Sequence, residues 1–310
     1  MTDAAAQRAV LEFAGVSKWY GQVSALMDVG FRVAGEVVGL VGRNGAGKST
    51  LMKLAAGLLR PSLGSVHVDG AVAGSRAANA VLGYTPDFDR LYERLSGREF
   101  VSWMLRLDGW SGRAARERAG EVLDELGLGA NMHRRIREYS KGMRQRVRLG
   151  QALAHRPRVL LLDEPMTGLD PVARQDIATR ILAFGRMGMS VLVSSHVLHE
   201  LEAIVDRVAL IHQGRLVAEG KVTELRGQLK GQPHRVRLGS QQPRQLAARL
   251  VGLPQVVAFE MRDAALDVSL NGQPGFYSDL TRIGSEVGNL VDGVRPLDDS
   301  LASVFGYLVG

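Results

Sequence analysis

Three short clusters carry side chains suited to chemistry on a phosphate chain. Residues 42–50 read GRNGAGKST, and Gly42, Gly47, Lys48 and Ser49 fit the spacing G-x-x-x-x-G-K-[ST] without mismatch. Glycines so spaced let the backbone wind tightly, so that successive N–H groups point inward at an anion. In that setting Lys48 reaches the β- and γ-phosphates of a nucleotide, and the Ser49 hydroxyl ligates Mg²⁺. The second cluster is Asp163-Glu164, followed by Pro165. Asp163 can hold Mg²⁺ directly or through water, and Glu164 can orient or deprotonate a water attacking the γ-phosphate. The third is His196, placed to sense the γ-phosphate by hydrogen bonding.

Each cluster needs an element to aim it. Residues 37–41 (VVGLV) form an apolar run of buried-strand type, and residues 50–56 (TLMKLAA) are good helix formers. Strand, loop and helix therefore follow one another, with the phosphates at a helix N-terminus. Residues 159–162 (VLLL) run straight into Asp163, and residues 191–195 (VLVSS) run straight into His196. Both read as buried parallel strands, so the acids and the histidine share one edge of a sheet, where active sites gather. A lone histidine is otherwise more often structural.

The composition narrows the function classes. The chain has 310 residues, with 45% hydrophobic and 23% charged residues, enough for one large domain and a small one, or for two domains. There are no cysteines, which removes disulfides, thiolate metal sites and cysteine nucleophiles. Residues 1–8 lack the apolar stretch of a signal peptide, and no run approaches the ~18 apolar residues of a membrane span. The net charge is +7, and residues 134–158 contain Glu138 as their only acid. That cluster is either a solvated helix face or an anion-binding surface.

Elsewhere the chain alternates strand and helix. Residues 10–20 and 23–33 read as strands joined around Gly21, residues 65–69 and 81–85 as short strands, and 87–94 as a polar, aromatic loop. From residue 98 to 158 the pattern is helical, with Ser111 and Ser140 as candidate N-caps and the Lys/Arg side chains facing solvent or a partner. Helices are expected over 174–187 and 197–205, and a hairpin around Gln213-Gly214. The alternation implies an α/β core with a largely parallel sheet. Residues 227–233 (GQLKGQP) read as a linker, followed by strand, helix, strand, strand and helix, and by a further helix over 301–308. Tyr20 either stacks on a nucleotide base or fills a half-buried strand position.

At this point the chain resembles the nucleotide-binding subunit of an ABC transporter. GRNGAGKST resembles the Walker A motif, with Asn44, Gly45, Ala46 and Thr50 completing the ATP loop, and VLLLDE at 159–164 resembles Walker B with its catalytic glutamate. YSKGMRQR at 139–146 resembles the family signature LSGGQ, GLD at 168–170 the D-loop, His196 the switch histidine, and Tyr20 the base-stacking aromatic. The resemblance covers about residues 10–225. It implies a P-loop cassette with a RecA-like parallel sheet, an antiparallel β subdomain and a helical subdomain at about 98–158, within an ATP-binding domain at 1–230. A small α+β accessory or regulatory domain at 231–310 follows. It implies two copies closing head to tail around ATP and Mg²⁺, with Ser140 and Gly142 of one copy meeting the γ-phosphate held by Lys48 of the other. That homodimer would power integral membrane permease subunits from the cytoplasmic face, as a peripheral protein, with no nucleic acid involved.

Two departures stand out. The signature carries Lys141 and Met143 where a glycine and a glutamine are usual, while Ser140 and Gly142 persist. The loop position that normally carries a glutamine, touching the metal shell and the membrane partner, is Asp87. The KGM signature and the DDSLASVF stretch at 298–305 resemble exporters of the ABC-2 type. Competing readings are a soluble ABC ATPase acting on ribosomes or nucleic acid, and a regulatory module without turnover. A single Walker A motif and the absence of a long coiled coil weigh against the first. Lys48, Asp163, Glu164 and His196 weigh against the second.

Overall fold

A computed structural model describes residues 10–88, 90–202, 204–205, 207–228, 234–271, 274–287 and 290–297. The helix expected at 301–308, the stretch 298–305 and most of the linker at 227–233 lie outside the described residues. The chain divides into two compact units, 1–220 and 221–310, ahead of the boundary at 230 read from the linker.

In the first unit, β1 (Leu11–Tyr20) and β2 (Val23–Val33) form a hairpin that turns at Gly21, where φ is +59°. β3 (Val37–Val41) leads into α1 (Lys48–Ala55). β4 (Leu63–Val68) and β5 (Ala71–Val72) complete an antiparallel sheet in the order β2-β1-β4-β5. After α2 (Arg76–Ala80), the strands β6 (Leu82–Thr85), β7 (Val159–Leu162), β8 (Ser190–Ser195), β9 (Arg207–His212) and β10 (Arg215–Lys221) join β3 in a second sheet. Its order is β10-β9-β3-β8-β7-β6, with β9, β3, β8, β7 and β6 parallel to one another. β7 and β8 are buried at every position, as expected of strands covered on both faces. One core joins the two sheets and α1. It includes Leu11, Phe13, Phe31, Leu51, Met52, Leu161 and Leu192, with Phe13 and Phe31 stacked at 4.7 Å.

Between β6 and β7 lie α3 (Gly97–Leu107), α4 (Gly112–Glu125), two 3₁₀ turns (Gly129–His133 and Ile136–Glu138) and α5 (Lys141–Leu153). Each helix has a side-chain cap that satisfies one of the free N–H groups of its first turn. Ser96 and Glu99 form a capping box on α3, Ser111 accepts from Ala114 N, and Ser140 accepts from Met143 N.

Of the basic residues of α5, Lys141 is exposed, while the three arginines find partners within the chain rather than solvent or another molecule. Arg144, Arg146 and Arg148 are half-buried and turned toward protein partners. Arg144 donates to Glu93 at 2.9 Å, Arg146 to Asp176 at 3.2 Å, and Arg148 to Gln145 at 2.9 Å. Asp176 sits on α6 (Pro171–Arg186), which starts earlier than expected because Asp170 caps it and Pro171 opens it. Burial pushes the Asp176 carboxyl up, but hydrogen bonds and charge from Arg180 and Arg146 outweigh this and hold it below the usual carboxylate range. After β8 comes α7 (Leu198–Glu202), shorter than the segment read from sequence.

The second unit contains α8 (Val222–Gln228), β11 (His234–Gly239), α9 (Pro243–Leu250), β12 (Val256–Arg262), β13 (Ala265–Leu270), α10 (Phe276–Val287) and β14 (Gly293–Pro296). β14 was not expected. It pairs antiparallel with β11 and completes a sheet in the order β12-β13-β11-β14. Strand-helix-strand-strand-helix-strand in this order is the split β-α-β arrangement. Leu246, Leu250, Phe276, Leu280 and Ile283 of the helices form a core with Val236, Leu238, Leu266 and Val268 of the sheet.

Candidate nucleotide site

The loop after β3 owes its shape to two glycines. A Cβ on Gly42 would lie 2.4 Å from the Ile211 carbonyl oxygen. Gly47 has φ of +110°, and a Cβ there would meet Leu26 at 2.7 Å and the Ala25 carbonyl oxygen at 2.8 Å. No other residue fits either position without moving the backbone. The turn between β9 and β10 ties the loop down: Gly214 N donates to Ala46 O at 3.0 Å, and Met27 N donates to Gly214 O at 2.8 Å. Asn44 and Gly45 are exposed at the tip, whereas Ala46 is buried and Thr50 half-buried. Lys48 folds back over the loop, and its Nζ donates to Gly42 O at 2.7 Å.

Parallel pairing brings the two other clusters to this loop. β3 lies beside β8, and β8 beside β7, so residues far apart in the chain end at one edge. Asp163 is 1% exposed. Its Oδ1 accepts from Ser194 Oγ at 2.7 Å, and the Ser49 hydroxyl lies near enough for its dipole to act on the carboxylate. Burial raises the Asp163 pKa, the Ser194 hydrogen bond and the Ser49 hydroxyl oppose this, and the charges of Asp87 and Glu164 add to the rise.

Glu164 has φ of +51°, an uncommon backbone state for a residue with a side chain. The turn aims its carboxylate back at the loop. Oε1 lies 3.5 Å from Lys48 Nζ, while Oε2 accepts from Thr167 Oγ1 at 3.1 Å and lies 2.8 Å from His196 Nδ1. Its own amide donates to Ser194 Oγ at 2.9 Å. Ser194 thus fixes both acids, and sequence reasoning missed it and Thr167. The signal for Ser194 was a pair of serines closing an apolar strand just before His196.

Lys48, Ser49, Asp163, Glu164 and His196 form one cluster. The remaining candidates lie apart from its hydrogen bonds. Asp87 is exposed, though close enough for its charge to act on Asp163. Tyr20 is 47% exposed, with Lys18 Nζ 5.5 Å from its ring centroid. Ser140 is exposed at the N-cap of α5. A Cβ on Gly142 would lie 3.1 Å from Ala173 Cβ, so α5 and α6 approach closely there. The Lys141 ammonium reaches Gly168, 3.4 Å from where a Cβ on that glycine would stand.

A phosphate loop feeding a helix, an acid pair just past β7 and a histidine just past β8 at the same edge of the parallel sheet, and an inserted helical layer define a P-loop nucleotide-binding cassette of the ABC type. The ABC transporter family profile matches residues 26–167. The daunorubicin/doxorubicin resistance ATP-binding protein DrrA of Streptomyces peucetius is 34% identical over 307 residues, covering 96% of this chain and 92% of that protein. The Nod factor export ATP-binding protein I of Rhizobium etli is 35% identical over 224 residues, 71% of each chain. Among solved structures, the dimeric ABC transporter cassette MJ0796 superposes with a TM-score of 0.62 at 25% identity, covering 68% of this chain and 98% of that one. The chain belongs to the family of ABC transporter ATP-binding proteins.

Proposed function

We propose that this chain binds and hydrolyses ATP to power export through a separately encoded membrane permease, working as a head-to-tail homodimer at the cytoplasmic face of the membrane. The observation that carries the reading is the meeting of Lys48, Asp163, Glu164 and His196 at the phosphate loop. Loop N–H groups and the α1 N-terminus receive the phosphate chain, and Lys48 turns from the Gly42 carbonyl to the β- and γ-phosphates. Ser49 and Asp163 are the residues that would hold Mg²⁺. A hydroxyl and one carboxylate suit an ion that keeps waters and takes phosphate oxygens as its other ligands. Bound there, Mg²⁺ would neutralise charge developing on the phosphates. Glu164 orients the attacking water and accepts its proton, while His196 and Thr167 hold the carboxylate in place. Ser140 and Gly142 meet the γ-phosphate bound by the second copy, and Tyr20 stacks on the base.

The names of the relatives support the transport part of this reading, and the dimeric cassette supports two copies. No helix among the described residues is long and apolar enough to cross a membrane. We assign the C-terminal unit an accessory role, stabilising or regulating the dimer. Thermal shift with ATP tests the core of the proposal. A ligand at ~100 times its dissociation constant stabilises by ~2.7 kcal/mol, and Lys48→Ala should abolish that shift. An undiminished shift in the variant would refute the assignment.

A further inference from the structure

A second concave site lies on the helical layer, apart from the phosphate loop. We propose that the pocket between α3, α4 and the 3₁₀ turn at Gly129–His133 binds a phosphate-bearing anion. The pocket holds about 460 Å³, and Arg98, Arg106, Arg116 and His133 converge on it, with Trp103 at its wall. Arg98, Ser102 and Arg106 recur every fourth residue on α3, so they share one helix face.

The charges in this pocket are not neutralised. Arg106 and Arg116 make no hydrogen bond or ion pair through their guanidinium groups among the described residues. Arg98 uses its Nε on the Arg116 carbonyl oxygen at 3.2 Å. The single acid in the lining is Glu99, and its Oε2 already accepts from Ser96 N at 2.8 Å and Ser96 Oγ at 2.9 Å. Those bonds hold the Glu99 carboxyl below its ordinary range, with Arg135 and Arg116 adding to the effect. One carboxylate, spent on a helix cap, therefore faces three guanidinium groups.

Bringing like charges together costs free energy that a bound dianion would recover. Guanidinium forks match phosphate oxygens two at a time, which favours phosphate over a halide. His133 adds a ring N–H. Trp103 is 52% exposed and offers an apolar flank to whatever carries the phosphate. This inference goes beyond the proposed ATP site and does not rest on it. The phosphate could belong to a soluble compound or to a lipid headgroup.

Trp103 gives a local readout. In the full chain carrying Trp19→Phe and Trp110→Phe, its fluorescence is titrated with inorganic phosphate, and separately with vesicles of phosphatidylcholine alone or mixed with phosphatidic acid. A saturable change with either phosphate probe is expected. Arg106→Gln and Arg116→Gln should each weaken it about tenfold or more, since each removes a charge-assisted hydrogen-bond donor. Both side chains are exposed and unpaired among the described residues, so the variants should melt as the parent does. Lys48→Ala should leave the titration unchanged, which separates this site from the phosphate loop. A response to inorganic phosphate alone assigns a soluble ligand. A response to phosphatidic acid vesicles alone assigns the headgroup. The proposal is overturned by no response to either probe, by an equal response to chloride at matched ionic strength, or by unchanged affinity in both arginine variants.

Discussion

Lys48 Nζ stands 3.5 Å from Glu164 Oε1, and the two side chains are only 7% and 9% exposed. The cation that would grip phosphate and the base that would act on it are thus partners in one buried pair. Substituting either leaves the other with fewer partners in a place of little water, which makes the chemical variants stability variants too. Glu164→Gln is the milder change, since the amide keeps the shape and can still bond Thr167. It removes the proton acceptor, so hydrolysis should fall by roughly 10²–10⁴-fold while ATP binding persists. Phosphate release and light scattering check this together, because an ATP-held dimer should accumulate. Unimpaired turnover in purified protein would sink the role given to Glu164.

Ser194→Ala should act on both acids at once. It deletes the hydroxyl that donates to Asp163 and accepts from the Glu164 amide. Each lost bond leaves a buried group unsatisfied, costing ~1–3 kcal/mol. Denaturant titration should show lower stability, and ATPase should fall although no group named in the chemistry has changed. Wild-type values for both would mean that Ser194 merely fills space.

Asp87 is exposed, yet its charge bears on Asp163. We expect it to serve coupling to the permease more than nucleotide binding, with the exposed Phe88 and Tyr92 as grips for that partner. Asp87→Asn should leave ATP affinity of the isolated subunit nearly unchanged and weaken stimulation of ATPase by the membrane subunits. A large loss of Mg-ATP affinity in the isolated subunit would show that Asp87 serves the metal instead.

Truncation after Lys230 keeps the whole first unit and should leave a folded, ATP-responsive protein, because the compact units meet at 220/221. An insoluble product without an ATP response would mean that the C-terminal unit completes the core.

In the C-terminal unit, Arg237 grips Asp267 with two bonds at 2.6 and 2.7 Å. Those bonds, helped by the charges of Arg237 and Arg262 against the effect of burial, hold the Asp267 carboxyl below its usual range. A depressed folded-state pKa stabilises above the unfolded value of ~3.9 and is lost as pH falls through the folded value. Asp267→Asn should therefore destabilise this unit at neutral pH, with the gap to wild type closing in acid. Hydrogen exchange of the β13 amides across pH reads the effect within the full chain. A gap that does not change with pH would mean that packing, not ionisation, is what the aspartate contributes.

The sequence by itself determined the motifs and the local elements. The spacing of Gly42, Gly47, Lys48 and Ser49, the apolar runs ending at Asp163 and His196, and the capping serines 111 and 140 are all short-range patterns. Backbone sterics and N–H satisfaction act over a few residues, so such features can be read in a row. The tertiary structure decided what depends on distant neighbours. Ser194 became the bridge between Asp163 and Glu164 only because β8 lies beside β7 in that register. Arg144 and Arg146 of α5 turned inward only because Glu93 and Asp176, remote in sequence, stood ready to receive them. β14 is a four-residue strand, exposed along its length, with no apolar alternation to announce it; its pairing with β11 alone makes it a strand. Burial and pairing belong to the assembled sheet and helices, and no window along the chain contains them.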